Sequence, residues 1–154
     1  MDGYDWLVLL HIVASIVWVG GGFATQVYAE RAKRTADPAR QASFARDIQW
    51  VGSRIFAPAS LAVIVVGIVM VLVNPAWDFG QLWITLALVG VAISVITGAV
   101  FLGPESGRIG KLIGERGPED PEVLRRIGRT RVISRIDYVV LLLVVGLMVF
   151  KPGV

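Results

Sequence analysis

Four apolar stretches, each about one helical membrane crossing long, constrain this chain more than any other feature. They cover residues 6–28, 55–73, 82–102 and 132–150. A helix needs about 20 apolar residues to cross a hydrocarbon core of about 30 Å. The fourth stretch is uninterrupted only over Val139–Phe150, and it reaches full length when Arg131 and Arg135 extend toward the headgroups. Composition agrees: 55% of the 154 residues are hydrophobic and the mean hydropathy is +0.69, outside the range of soluble domains. The first stretch does not read as a cleaved signal, because MDGYD before it is acidic and the run is too long for an h-region. The expected fold is all-α: a four-transmembrane-helix bundle, one integral membrane domain over 1–154.

Charge sets the expected orientation. The connection between the first two stretches carries Arg31, Lys33, Arg34, Arg40, Arg46 and Arg54. The connection between the last two carries Arg108, Lys111, Arg116, Arg125, Arg126, Arg129, Arg131 and Arg135. Of fifteen basic residues only Lys151 falls on the other side. The positive-inside rule then makes both long connections cytoplasmic and puts both termini and the 74–81 turn outside. Basic loops beside an anionic leaflet account for the pI of 9.7 without any nucleic-acid partner.

Missing residue types exclude whole chemistries. With no cysteine there is no disulfide, thiolate metal site or thiol nucleophile. A single histidine rules out a two-histidine haem pocket or a multi-histidine zinc site within one chain. No phosphate-binding glycine loop or nucleophile elbow is present, and no catalytic constellation supports an enzyme.

The two halves of the chain resemble each other. Trp6–Arg31 and Trp83–Arg108 are both 26 residues, offset by 77 positions. Asp37-Pro38 is followed by Asp120-Pro121, Ser53-Arg54-Ile55 by Ser134-Arg135-Ile136, and VVGIVMVLVNP (65–75) by VVGLMVFKP (144–152). The order suggests a repeated helix hairpin with halves 1–77 and 78–154, running parallel about an axis along the membrane normal. Asp-Pro also marks a helix start, with a capping carboxylate before a proline at the first helical position. Phe44, Ile48 and Val51, then Val123, Leu124 and Ile127, follow at helical spacing. Each basic connection is therefore expected to carry a short amphipathic helix, lying on the membrane surface or extending a span.

His11, the only histidine, sits inside the first stretch. On a helix its face continues through Ser15, Trp18, Gly22 and Gln26. Polar groups facing lipid are costly, so this stripe should face the bundle interior. Gly20-Gly21-Gly22 permits close approach of a neighbouring backbone or a flat ligand, and Gly90, Ser94 and Gly98 offer a matching ridge in the third stretch. Met70 and Met148 lie at a similar depth, within roughly 10 Å of the outer boundary. Imidazole and thioether suit copper(I), and the same residue types ligate haem iron. His11, Trp18, Gly21 and Gly22 are thus the candidate cofactor-binding residues, and His11, Met70 and Met148 the candidate metal donors. The bland alternative is that methionine fills the core and the histidine bonds a neighbouring helix.

The segment LHIVASIVWVGG resembles the first-helix pattern of bacterial CopD-type copper-resistance membrane proteins and, in a more diverged form, HemJ-type protoporphyrinogen oxidases. SRIFAPASLAVIVVGIVMVL and AVFLGPESGRI are more similar to a small four-helix bacterial family, a domain of unknown function in the same broad group. The resemblance covers nearly the whole chain and implies a prokaryotic inner-membrane protein. From the CopD side it implies copper handling, and from the HemJ side a b-type haem held through His11. The deeper basic residue of HemJ-type enzymes has no counterpart, since no lysine lies inside any span.

Asp137 lies two residues further in than Arg135, where an unpaired carboxylate is expensive. It is expected to form a structural ion pair with Arg54 or Arg131; the alternative is a proton or cation step at an inner mouth. Three functions follow from these residues: a haem- or copper-binding protein using His11, a small transporter or channel lined by His11 and Gln26, or a ligand-free accessory subunit. Beyond the lipid bilayer, the partners implied are a second copy or a larger membrane complex.

Overall fold

The computed structural model describes residues 2–34 and 37–153; the outermost positions of the 1–154 reading lie outside them. Among the described residues, four helices are long and apolar enough to cross a membrane. Helix 1 comprises Gly3–Ser15 and Gly21–Lys33, joined by a π-helical turn at Ile16–Gly20. Helix 2 runs through Pro38–Val51, a π turn at Gly52–Phe56, and Ala57–Val73. Helix 3 runs through Leu82–Ile96, a π turn at Thr97–Leu102, and Gly103–Arg116; helix 4 is unbroken over Pro121–Phe150. Two of the wide turns directly precede Pro58 and Pro104, whose rings lack an N–H and crowd the carbonyl four residues back. The third ends on the first residue of the Gly20-Gly21-Gly22 run, where backbone freedom is greatest.

Only 11–22% of the most apolar window of each helix is buried. Leu72, Val100 and Phe150 are exposed to 69%, 73% and 84%. A surface this apolar is stable against acyl chains rather than water.

The long connections are not loops. Pro38–Val51 continues into helix 2, and the segment after Asp120 is the start of helix 4, so of the two expected placements both helices extend a span; Gly103–Arg116 likewise continues helix 3. Their apolar faces meet each other instead of lipid: Ala45, Ile109, Ile113 and Val123 form a second core, with Val123 wholly buried. Both Asp-Pro starts form as expected. Asp37 accepts hydrogen bonds from the Ala39 and Arg40 backbone, and Asp120 from Glu122 and Val123. Helix 3 ends at Gly117, which adopts a φ of 85° before Pro118, a conformation suited to glycine. This end of the bundle, rich in arginine, is called the basic end below.

Charges fasten the second core from outside. Buried Glu105 receives Arg126 at 2.6 Å and Arg108 at 3.6 Å. Arg126 also holds Glu122 at 3.0 Å, and Arg116 reaches Glu122 at 2.9 Å. The guanidinium of Arg126, donating to Glu122, holds that carboxyl below its ordinary range. Both groups lie in the polar start of helix 4, ahead of its apolar part.

At the opposite, terminal end, Trp77 Nε1 donates to the Tyr4 hydroxyl at 3.0 Å. Lys151 Nζ lies 4.4 Å from the Trp77 ring centroid and 5.6 Å from that of Trp83. Both chain ends and the 74–81 turn therefore meet at one end. Within each half the helices pair as a hairpin, helix 1 on helix 2 and helix 3 on helix 4. The ridge expected to receive helix 1 serves helix 4 instead: a Cβ on Gly90 would lie 2.5 Å from Val144 Cγ2. Hairpin packing brings Val144 there first.

Candidate functional site

Between the helices, in the half of the bundle nearer the basic end, lies a cavity of about 980 Å³. It extends from Trp18 and Leu141 in mid-bundle to Pro118 and Glu119 in the turn at the basic end. Small residues make the space: Gly22, Gly52, Ala57, Ser60 and Gly98 line it, and nothing lies within 4 Å of a Cβ built on Gly52 or Gly98. All three π turns contribute to the wall, through Trp18, Phe56 and Ala99 among others. Toward the terminal end the bundle is closed by a packed core of Ala14, Trp18, Val63, Ala87, Val91, Leu141 and Val144. The volume falls in the range of small-molecule sites.

Polar groups gather on one side. The Ser94 hydroxyl donates to Asp137 Oδ1 at 2.7 Å. Gln26 Nε2 donates to Ser134 Oγ at 2.6 Å and to the Ser134 carbonyl at 3.2 Å. Arg131 shares the wall, as does Thr130, whose buried hydroxyl oxygen has no hydrogen-bond partner. Mixed walls of this kind fit a ligand with a polar part and an apolar part.

The ion pair expected for Asp137 is not formed. Among the described residues no salt bridge joins it to Arg54 or Arg131. Arg54 is exposed. Arg131 lies six residues back on helix 4, about 9 Å along the axis, while Ser94 faces the carboxylate directly from helix 3. The partner of the carboxyl is a hydroxyl, and Asp137 also lines the cavity.

The His11 stripe splits. Trp18, Gly22 and Gln26 line the cavity, but His11 does not. Its imidazole packs against helix 2, with Cε1 3.1 Å from where a Gly67 Cβ would lie. The Val63 carbonyl faces the ring, yet buried Nδ1 has no hydrogen-bond partner. Gly21 points elsewhere as well, against Phe56, whose Cε1 would lie 2.5 Å from its Cβ. Gly22 abuts Tyr138, with Cδ2 at 3.5 Å. Met148 packs on the central core and Met70 is half-buried.

Among the described residues, no group of three or more histidine, aspartate or glutamate side chains is placed to hold a metal ion.

Sequence reasoning marked Gln26, Ser94 and Asp137 but missed their convergence. A signal existed on helix 4: Thr130, Ser134 and Asp137 recur at helical spacing and form a polar stripe. Together with Gln26 and Ser94, that stripe outlines the wall.

Comparison with known proteins adds a family. The model of a family described as predicted integral membrane protein (DUF2269) matches residues 5–152. No curated protein and no solved structure matches. Four membrane-length helices and a match over nearly the full length agree, and the chain belongs to this DUF2269 family of predicted integral membrane proteins.

Proposed function

We propose that this protein binds a small molecule within the membrane, holding it in the interhelical cavity with Asp137 as its principal polar contact. The observation that carries the reading is a carboxylate without an ionic partner, on the wall of a cavity of about 980 Å³. An ionisable group at such a depth marks a functional site by default. The unpartnered Thr130 hydroxyl on the same wall supports it, because buried polar atoms are rarely left unsatisfied. Reach toward the basic end and closure toward the terminal end support one-sided access, as in a carrier or receptor.

In this reading the chain is a single integral domain in a prokaryotic cytoplasmic membrane, with both termini outside and the cavity facing the cytoplasm. Concentration of arginine at one end supports that orientation, and the paired hairpins support an internal repeat.

Native mass spectrometry after gentle extraction tests the proposal. Wild type should carry a bound small molecule, and Gly98→Leu should lose it, because Gly98 lines the cavity, a Cβ there has open space, and the longer side chain takes up ligand volume. Identical spectra without an adduct for wild type and Gly98→Leu would overturn the reading.

The buried, unpartnered Nδ1 of His11 favours a second reading, in which His11 binds copper(I) with Met70 and Met148 as further donors. Elemental analysis of purified wild type should then find copper that His11→Ala lacks, and a Soret band lost in His11→Ala would indicate haem instead. Colourless, metal-free wild type removes both.

A further inference from the structure

A second, smaller hollow of about 410 Å³ opens on the outer surface between helices 1 and 2. It runs along Val17, Gly21, Ala24 and Tyr28 on one side and Val51 and Ile55 on the other. Val17, Tyr28 and Ile55 are exposed to 40%, 59% and 37% and belong to the apolar stretches 6–28 and 55–73. Phe44, Ile48 and Val51 belong to the extension of helix 2, so the groove reaches from the hydrocarbon to its boundary at the basic end. The chief packing of helix 1 on helix 2 is in their terminal halves, leaving this stretch less closely covered.

Thr25, Phe44, Ile48 and Phe56 line both the groove and the interior cavity. These four residues therefore stand between the groove and the cavity whose wall bears Asp137. Two of the four are phenylalanines, and Phe56 rests against Gly21, where a methyl group would collide with it. Having no Cβ, Gly21 lets the Phe56 ring approach helix 1 this closely. The two compartments differ in chemistry: the groove is mostly apolar, with Asp47 its one acidic residue, whereas the cavity presents Asp137, Ser94 and Gln26.

We infer that the ligand is an amphiphile with a hydrocarbon chain, which enters sideways from the bilayer between helices 1 and 2. Its polar head occupies the cavity and its chain lies in the groove, in contact with membrane lipid. This rests on the cavity being a binding site and adds the substrate class and the route. An apolar groove that shares a wall with a polar chamber points to such a molecule: a fully polar solute gains nothing from the groove, and a pure hydrocarbon leaves Asp137 and Thr130 unanswered.

Reconstitution into vesicles of phosphatidylcholine brominated near the headgroup end of one acyl chain tests the route. Trp18 is 8% exposed and lines the cavity, so its emission, taken as the difference between wild type and Trp18→Phe, reports bromines that have entered. Wild type should lose most of that emission relative to unbrominated vesicles. Ala24→Phe and Val51→Phe, which fill the groove, should restore it, whereas Val27→Phe, exposed outside both compartments, should not. Two groove variants guard against one that fails to fold. Unquenched Trp18 in wild type, or equal quenching in both groove variants, overturns the inference. If Gly98→Leu still displaces a bound molecule in such a case, the cavity stands as a binding site and only the acyl chain and its portal are lost.

Discussion

Ser94 Oγ and Asp137 Oδ1 lie 2.7 Å apart across the interface of helices 3 and 4, and this contact stands where an ion pair was expected. A hydroxyl offers one donor to a carboxylate that can accept several hydrogen bonds. The remaining acceptor capacity faces the cavity. Asp137→Asn should therefore abolish binding of the co-purified molecule while keeping the monodisperse elution of the wild type. Ser94→Ala should weaken binding by only a few-fold, in line with about 1 kcal/mol for one hydrogen bond. Native mass spectrometry with size-exclusion chromatography measures both, and equal losses in the two variants would count against a direct contact from Asp137.

Gly90 faces Val144 across the helix 3–helix 4 hairpin. A Cβ there would stand 2.5 Å from Val144 Cγ2, and overpacking of this kind costs about 1–3 kcal/mol. Gly90→Val should lower the melting temperature in detergent, and adding Val144→Ala should recover much of the loss. A double-mutant cycle with no coupling would show that the two helices do not meet at these residues.

Acid should loosen the basic end. Arg126 depresses the Glu122 pKa, so the contribution of this carboxylate is fully present above its ordinary range and disappears as pH falls through the lowered value. Melting curves from neutral pH downward should show Glu122→Gln less stable than wild type at neutrality. The two curves should converge as the carboxylate of the wild type becomes protonated. A gap independent of pH would mean that packing, not charge, ties Glu122 in place.

Lys151 closes helix 4 with a φ of 44° and sets its ammonium against Trp77 and Trp83. An exposed contact of this type contributes about 0.5–1 kcal/mol. Lys151→Gln should thus produce a small fall in melting temperature and faster amide exchange over the last turn of helix 4. Lys151→Arg should retain most of both, and unchanged exchange in Lys151→Gln would place the clamp elsewhere.

Much of the scaffold was legible because it rests on local rules. Asp37-Pro38 and Asp120-Pro121 announce helix starts through a carboxylate that caps and a ring that needs no partner, and both starts form. Extension of the spans into the basic connections was harder to read. Apolar stripes on Pro38–Val51 and on Gly103–Arg116 look the same whether they face lipid or each other, and only their meeting over Val123 resolves it. His11 shows the same limit. Periodicity groups it with Trp18, Gly22 and Gln26, but the π turn at Ile16–Gly20 inserts a wider turn between His11 and Trp18. That turn shifts the face, and His11 comes to rest on Gly67 rather than in the cavity.

By itself, the sequence determined where the chain can exist and in how many crossings, because apolar length against a fixed hydrocarbon thickness is a local, one-dimensional requirement. Tertiary structure alone decided which helices pair, which carboxylate stays without a cation, and where space remains unfilled. Those outcomes depend on close fits such as Val144 against Gly90 and on the missing bulk at Gly52 and Gly98. In a bilayer, where lipid is as apolar as the side chains, shape rather than hydrophobicity chooses the partner.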